Sequence, residues 1–265
     1  MLSPKLKPYP RIPAPRPKPQ VGRIPKRPIP MTLIAAFRCR NGGILLCADR
    51  EENDGYAKRE VDKIYRVPLL IPCEFFIAGA GPTSIITNAC NEIHRSIKQA
   101  ADNGTDVLVE HEKLLKDGLK SIHKQYAKTL LSWPMSLIIV VAPRAGGTVP
   151  LLYRTEGEIL IPEPIYTAHG SGKVVCDYLA DRLFEYDRID KSYLALLAAF
   201  IFREAERSAT GVGLGANMIF IHEGNKSLHI LEADAVKEIE AGIPSLADAL
   251  HSYWKDHAKV PEWLV

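Results

Sequence analysis

Residues 32–50 have the sequence TLIAAFRCRNGGILLCADR, in which two short apolar runs flank a glycine-containing turn. Each run, at 32–39 and 43–50, is long enough for one buried strand. The Asn-Gly-Gly sequence at 41–43 has the composition of a tight turn between strands. This stretch therefore predicts a β-hairpin in the core of the fold.

The rest of the chain alternates between groups of strands and pairs of helices. Strands are expected in EVDKIYRVP (60–68), CEFFIAGAG (73–81), MSLIIVVAP (135–143) and VPLLYRTE (149–156), and in a closing hairpin, NMIFIHEGNKSLHILEA (217–233). The stretch EILIPEPIYTAHGSG (158–172) is expected to continue the strand pair at 135–156, and the charged run REENDGYAKRE (50–60) to form a solvated loop. Helices are expected from a cap at Thr83 or Ser84, over about 107–132, 173–187 and 191–208, and in the tail 245–257. Because the helices come in twos rather than after every strand, the pattern favours an α+β fold. We expect two stacked antiparallel sheets with helix layers outside.

Residues 1–31 differ in composition from the rest of the chain. Ten of the twenty prolines lie in residues 1–30, together with eight Lys and Arg residues and no acidic residue. Proline fixes φ and removes a backbone donor, so regular structure is not expected there. We predict a disordered extension at 1–31, either a propeptide or a misassigned start, followed by a single domain at 32–265.

Composition argues against several classes of function. Without residues 1–30, 26 basic residues stand against 31 acidic ones, which argues against a nucleic-acid surface on the domain. Apolar runs such as SLIIVVAP (136–143) are far shorter than the ~20 residues that cross a bilayer. The five cysteines have no metal-ligand spacing, so we expect free buried thiols, a cytoplasmic location, and no metal or cofactor.

Four residues are candidates for chemistry, although each has a simpler explanation. Asp49 fits the role of an acidic residue at a strand end, and Lys63 that of a surface lysine. Ser171 precedes a helix, where serine commonly caps. Gly79 fits a tight turn. Taken singly, these residues do not indicate a function.

Together and in this order, these residues resemble one family. The matching blocks are residues 32–50, REVDKIYRV (59–67), FFIAGAGPTS (75–84), SLIIVVAPRAGGTVPLLYRTEGEI (136–159) and AHGSG (168–172). From Thr32 to about Ala235 the chain resembles a proteasome β-type subunit, including the bacterial proteasome-like peptidases. The resemblance implies a four-layer αββα sandwich, the fold of the N-terminal nucleophile hydrolases.

The resemblance also implies a threonine-type endopeptidase. In that family an N-terminal threonine supplies both the hydroxyl nucleophile and, through its own α-amine of pKa about 7.7–8.0, the base. Carried onto this sequence, Thr32 is the nucleophile, Lys63 the neighbouring cation and Asp49 the residue that orients Lys63. Ser171 would hydrogen-bond near the amine, and the Gly79 N–H would stabilise the oxyanion.

The first substrate pocket is implied in the same way. The matching positions are Val61, Ile77 and Gly81, which are small or apolar, so cleavage after apolar residues is expected. Members of that family assemble into rings whose active sites face an internal chamber. An ATP-dependent unfoldase often feeds substrates into this chamber. We therefore expect a homo-oligomeric ring that degrades peptides or unfolded proteins.

The sequence departs from the family pattern in ways that leave alternatives open. The Asp and Ser that usually support the nucleophile are missing near Thr210 and Gly213. A catalytically silent structural subunit is one alternative, and an N-terminal-nucleophile amidohydrolase or transpeptidase with another substrate is a second. The nucleophile must also be the first residue of the mature chain, and translation from Met31 followed by methionine removal would achieve this.

Overall fold

The computed structural model describes residues 32–40, 42–53, 58–67, 73–144, 148–222, 228–231 and 233–243, together with residues 248 and 252. The strands are β1 (Leu33–Arg38), β2 (Ile44–Asp49), β3 (Glu51–Asn53), β4 (Lys58–Glu60), β5 (Ile64–Val67), β6 (Cys73–Ala80), β7 (Ser136–Pro143), β8 (Leu151–Glu156), β9 (Ile159–Pro162), β10 (Tyr166–Gly170), β11 (Ala216–Ile221) and β12 (Leu228–Leu231). The helices are α1 (Thr83–Asp102), α2 (Val107–Gln125), α3 (Ala127–Ser132), α4 (Lys173–Leu183), α5 (Lys191–Ser208) and α6 (Ala233–Ala241).

These elements form an α+β fold with antiparallel sheets, as the sequence predicts. One five-stranded sheet has the order β10-β1-β2-β11-β12, and the other has the order β5-β6-β7-β8-β9. Every pairing within the two sheets is antiparallel. Strands β3 and β4 form a separate two-stranded sheet.

Apolar side chains on β1 alternate between two hydrophobic clusters. Leu33, Ala35 and Phe37 belong to a cluster that includes buried residues of α4 and α5. Ile34 and Ala36, on the other face, belong to a cluster with residues of β6, β7 and β8. A strand buried on both faces needs such a continuous apolar run, which explains the predicted hairpin at 32–50.

The second sheet is buried on both faces in the same way. Phe75 and Ile77 of β6 pack with the apolar residues of α1 and α2. Phe76 and Ala78 point to the opposite face and share a cluster with β1 and β2. The active-site candidates lie near the ends of strands from both sheets, so this double packing fixes their positions.

Several helix boundaries differ from the sequence prediction. The single helix expected over 107–132 is divided at Tyr126 into α2 and α3. The cap of α1 is Pro82, not Thr83 or Ser84, and no side chain accepts a hydrogen bond there. Helix α6 was not predicted. The expected extension at 1–31 and most of the expected tail helix at 245–257 lie outside the described residues.

Two strand assignments also need correction. Strand β10 does not continue the sheet of β8 and β9 but pairs with β1 in the other sheet. The charged run at 50–60, expected to be a solvated loop, contains β3 and β4. Its first strand contains Glu51, whose side chain is buried. The sequence did not predict this strand because its residues are charged and pair with one another instead of forming an apolar pattern.

Two further features follow from the described residues. All five cysteines are free and buried, as expected from their spacing. None of the helices in the described part of the chain combines the length and apolarity needed to span a membrane.

Candidate active site

The pairing of β1 with β2 brings Thr32 beside Asp49. Ile34 lies opposite Ala48 in the ladder, so the residues just before β1 meet the end of β2. The Leu33 N–H donates to Asp49 Oδ1 at 2.9 Å, and the Thr32 hydroxyl donates to the same oxygen. A backbone register that the apolar pattern dictates therefore sets the position of the hydroxyl.

Asp49 is buried, with 1% of its side chain exposed, and both of its oxygens are engaged. Its Oδ2 accepts from the N–H groups of Glu51 at 3.3 Å and Gly213 at 3.4 Å. Burial raises the pKa of this carboxyl, while the Lys63 ammonium and the hydrogen-bond donors oppose that rise. Asp49 is thus a fixed acceptor in the interior rather than a solvated acid at a strand end.

Lys63 connects the carboxylate to the hydroxyl. Its Nζ lies 2.6 Å from Thr32 Oγ1 and 2.9 Å from Asp49 Oδ1, and it also donates to the Glu51 carbonyl. Only 11% of the side chain is exposed, so it is not a surface lysine. Burial lowers the pKa of Lys63, and the Asp49 charge opposes this shift.

Ser171 lies on the other side of Thr32. Its hydroxyl accepts from the Thr32 backbone nitrogen at 3.2 Å and lies within donor distance of two carbonyls, Thr32 at 3.3 Å and Thr210 at 2.9 Å. Gly172, not Ser171, caps α4, and no side chain caps this helix. At Gly170, which has φ +100°, a Cβ would lie 2.1 Å from the Thr32 carbonyl oxygen. The chain can therefore pass this close to Thr32 only with glycine there.

Gly79 is required for packing, whatever its role in catalysis. A Cβ at this position would lie 2.3 Å from Ile86 Cγ2 of α1. The Gly79 N–H donates to the Lys63 carbonyl at 3.3 Å, which is a long hydrogen bond. Its use as an oxyanion donor would require this bond to open, and that role stays a prediction.

The three residues expected to form the substrate pocket have different environments. Val61, whose N–H donates to the Arg50 carbonyl at 2.9 Å, and Gly81, which precedes α1, are half-buried. Ile77 has no exposed surface and packs in the cluster with α1 and α2. Solvent therefore reaches two of the three expected pocket walls in this structure.

The structure also shows contacts that the sequence did not indicate. The Thr210 carbonyl accepts from the Ser171 hydroxyl, and the Gly213 N–H donates to Asp49. Glu51 is 3% exposed, and its carboxylate pairs with Lys58 Nζ at 2.9 Å. Backbone contacts and a buried glutamate in a charged run leave no recognisable motif, although the apolar positions around them fix the strands.

The donor set does not point to a metal centre. Among the described residues, no group of three or more His, Cys, Asp or Glu side chains is placed to hold a metal ion. What the arrangement supplies is a hydroxyl between a carboxylate and an ammonium, with a serine hydroxyl at the backbone nitrogen of the same residue. This combination suits activation of the Thr32 hydroxyl as a nucleophile.

Comparison with known proteins gives a structural likeness only. No protein-family model matches the chain, and no curated protein matches it. The solved structures of Anbu proteins do match. Anbu from Hyphomicrobium sp. strain MC1 superposes with a TM-score of 0.69 at 17% identity, covering 87% of this chain and 100% of that one. The fold is similar to that of Anbu.

Two further Anbu structures agree. Anbu (ancestral beta-subunit) from Yersinia bercovieri gives a TM-score of 0.70 at 15% identity over 87% of this chain and 100% of its own. The Anbu complex of Pseudomonas aeruginosa gives a TM-score of 0.69 at 15% identity, covering 88% of this chain and 100% of its own. These neighbours correct the resemblance drawn from the sequence. The fold is similar to the solved Anbu structures, so the expectation of a proteasome β-type subunit or a bacterial proteasome-like peptidase was wrong.

Proposed function

We propose that the chain is a threonine-type endopeptidase subunit in which Thr32 is the nucleophile and its own α-amine the base. The observation that carries the proposal is the position of Thr32 Oγ1, which donates to Asp49 and lies 2.6 Å from Lys63 Nζ. A threonine kept only for structure would not need a buried ion pair at its hydroxyl. Such pairs are costly to bury and are concentrated at functional sites.

The proposed fold type is the four-layer αββα sandwich of the N-terminal nucleophile hydrolases. Support comes from the three hydrophobic clusters. One contains residues of both five-stranded sheets, and the other two pair each sheet with its own helices. In such a fold the nucleophile begins the first strand of one sheet, which is where Thr32 stands.

The reaction follows from the contacts. The Thr32 oxygen attacks the carbonyl carbon of the scissile peptide bond while its proton passes to the α-amine. Lys63, held by Asp49, stabilises the developing negative charge on the oxygen. The amine then gives the proton to the leaving nitrogen as the C–N bond breaks, and an ester forms on Thr32. Water, deprotonated by the same amine, hydrolyses the ester.

This mechanism requires a free amine, so the mature chain must begin at Thr32. In the structure the Thr32 nitrogen already has the Ser171 hydroxyl at 3.2 Å, which would orient the free amine. Processing before Thr32, or translation from Met31 followed by removal of methionine, would expose this amine. Residues 1–31 lie outside the described part of the chain.

We further propose self-assembly into a compartment that takes peptides or unfolded proteins. The neighbour from Pseudomonas aeruginosa is described as a helical assembly of the Anbu complex. Large apolar side chains are exposed on α4 and α5, including Val174 at 77% and Tyr178 at 54%. A homo-oligomeric ring, an ATP-dependent unfoldase as partner, and the cytoplasm as location complete the proposal.

A catalytically silent structural subunit is the second candidate, because one observation favours it. The Gly79 N–H, the expected oxyanion donor, is already used by the Lys63 carbonyl. A silent subunit would keep the ion pair for packing alone. The two candidates differ in whether the mature chain has a free Thr32 amine and in whether peptide hydrolysis depends on that amine.

The test compares two preparations of the protein that differ only at the N-terminus. One begins at Thr32, with its N-terminus verified by intact-mass spectrometry, and the other retains one residue before it. The proposal predicts hydrolysis of fluorogenic peptides by the first preparation only, and loss of at least 100-fold with Thr32→Ala. Equal activity of the two preparations would refute the amine as base. Undiminished activity of Thr32→Ala would remove Thr32 from the mechanism.

A further inference from the structure

Glu52 on β3 has no part in the mechanism above, yet it lies beside the site. Successive strand residues point to opposite sides, so Glu51 and Glu52 diverge. Glu51 is directed toward Gly213, where a Cβ would meet its Oε2 at 2.7 Å. Glu52 is directed the other way and accepts a hydrogen bond from the hydroxyl of Thr83, the first residue of α1.

The contacts already described place Glu52 close to the nucleophile. Lys63 Nζ, 2.6 Å from Thr32 Oγ1, also donates to the Glu51 carbonyl. That carbonyl belongs to the peptide bond that joins Glu51 to Glu52. Given standard backbone dimensions, the Glu52 Cα lies within roughly 8 Å of the Thr32 hydroxyl. The backbone of Glu52 is therefore close to the space that a substrate carbonyl must enter for attack by Thr32.

The expected pocket walls border the same space. Gly81 lies two residues before Thr83, to which the Glu52 carboxylate is bound. Val61 follows β4, the partner strand of β3, and its N–H donates to the Arg50 carbonyl at 2.9 Å. Glu52 therefore contacts the start of α1, close to Gly81, and belongs to the two-stranded sheet that ends next to Val61. The sequence-based expectation of an apolar pocket did not include this acid.

Glu52 forms no ion pair among the described residues, where Lys58 pairs with Glu51 and Lys63 with Asp49. Arg59 lies opposite Glu52 in the β3–β4 ladder, and the charge of Glu52 also acts on Lys63. The hydrogen-bond donor to Glu52 in the described part of the chain is a neutral hydroxyl. A half-buried carboxylate with a neutral donor is a favourable partner for an incoming cation.

A second carboxylate reinforces the negative potential. Burial raises the pKa of the Tyr65 phenol, and the charges of Glu52 and Asp62 add to the rise, so both acids act on the same place. The Tyr65 hydroxyl contacts Thr87 of α1 at 3.3 Å, one helical turn beyond Thr83. Both carboxylates therefore lie near Tyr65.

We propose that Glu52 selects a lysine or arginine side chain in the substrate residue whose carbonyl Thr32 attacks. This inference rests on the proposed peptidase function and replaces the expected preference for apolar residues. A guanidinium or ammonium that enters between Val61 and Gly81 forms a charged hydrogen bond with the carboxylate. An apolar side chain there leaves the carboxylate desolvated and unpaired, which is unfavourable.

The experiment uses the purified full assembly and three fluorogenic peptides that differ only in the residue before the cleaved bond: arginine, leucine or glutamate. The expected kcat/KM is at least 10-fold higher for the arginine peptide than for the leucine peptide. Glu52→Gln lowers the arginine value by roughly 10- to 100-fold and the leucine value by less than 3-fold. Glu52→Asp restores part of the arginine preference, and Glu52→Lys shifts preference toward the glutamate peptide.

Glu60→Gln is the matched control, because it removes the same charge from the paired strand β4, where Glu60 is exposed and paired with Arg50. It should leave the arginine-to-leucine ratio unchanged. A wild-type preference for leucine, or a Glu52→Gln variant that slows all three peptides equally, would overturn the inference while the peptidase function stands. If no peptide is cleaved and an electrophilic peptide does not label Thr32, the proposed function fails, and the inference fails with it.

Discussion

The buried pair of Asp49 and Lys63 gives the sharpest prediction, through Asp49→Asn. The carboxylate accepts at 2.9 Å from both Lys63 and the Leu33 N–H, and at 3.3 and 3.4 Å from the N–H groups of Glu51 and Gly213. Asparagine has one acceptor oxygen and an NH₂ group. Whichever way the amide turns, NH₂ faces a set of donors, and the ammonium loses its counter-charge.

The magnitude follows from these losses. Removing one partner of a buried ion pair costs about 3–5 kcal/mol, and leaving a buried donor unsatisfied costs about 1–3 kcal/mol. Because burial already lowers the pKa of Lys63, the ammonium can lose its proton, and this limits the cost. We expect Asp49→Asn to lower the free energy of unfolding by about 4 kcal/mol, and Lys63→Met by about 3 kcal/mol.

The double variant distinguishes a coupled pair from two separate losses. With both charges gone no unpaired charge remains, so the double variant should cost about 2 kcal/mol less than the sum of the single variants. Urea unfolding of the four proteins at pH 7 measures this coupling energy. The control is the same cycle on the more exposed pair Lys173 and Asp177 of α4, where about 0.3–0.5 kcal/mol is expected. Single effects that add to within about 0.5 kcal/mol would refute the reasoning.

Three further predictions concern the surroundings of the site. Ser171→Ala removes the hydroxyl that accepts from the Thr32 nitrogen and should lower kcat/KM roughly 10-fold. Urea unfolding should show a free energy of unfolding lower by about 1 kcal/mol. An unchanged kcat/KM would contradict the proposal that Ser171 orients the amine. Gly79→Ala should lower the free energy of unfolding by about 1–3 kcal/mol, because the added methyl group would clash with Ile86. Adding Ile86→Ala should recover part of the lost stability. If it recovers none, the clash with Ile86 is not the cause of the loss. Burial and neighbouring cations lower the pKa of His169 from 6.5 to about 4. The unfolded chain therefore binds this proton first, and stability is lost as pH falls from 6.5 toward 4. His169→Gln should reduce that loss in pH-dependent unfolding, and an unchanged pH profile for this variant would refute the prediction.

The grouping of Thr32, Asp49, Lys63 and Ser171 is predictable from the sequence for a physical reason. Each residue stands next to an apolar strand or at the end of one. Strand registers are fixed wherever both faces are buried, because a slip of one residue would turn the apolar side chains outward. Their order along the chain and the family resemblance therefore predicted that they lie together, while their catalytic roles stay predictions.

Other parts of the site depend on geometry that local pattern does not encode. The placement of Glu51 and Glu52 in a strand beside the site was missed because a run of charged residues predicts a solvated loop. Strand β10 was assigned to the wrong sheet, since period and composition do not say which edge a strand joins. The hydrogen bond from Gly79 to the Lys63 carbonyl depends on the register of β5 and β6, which only the packed structure fixes.

The central claim is that Thr32 carries both the nucleophile and its base. The most direct test treats the purified assembly with a peptide epoxyketone, which closes a ring only on a residue that offers a hydroxyl and a free α-amine together. Tandem mass spectrometry then locates the adduct. The account predicts one ring adduct per active chain, on a Thr32 that is the first residue of the mature protein. A chain that begins before Thr32, or a Thr32 that stays unmodified while peptides are cleaved, would contradict it.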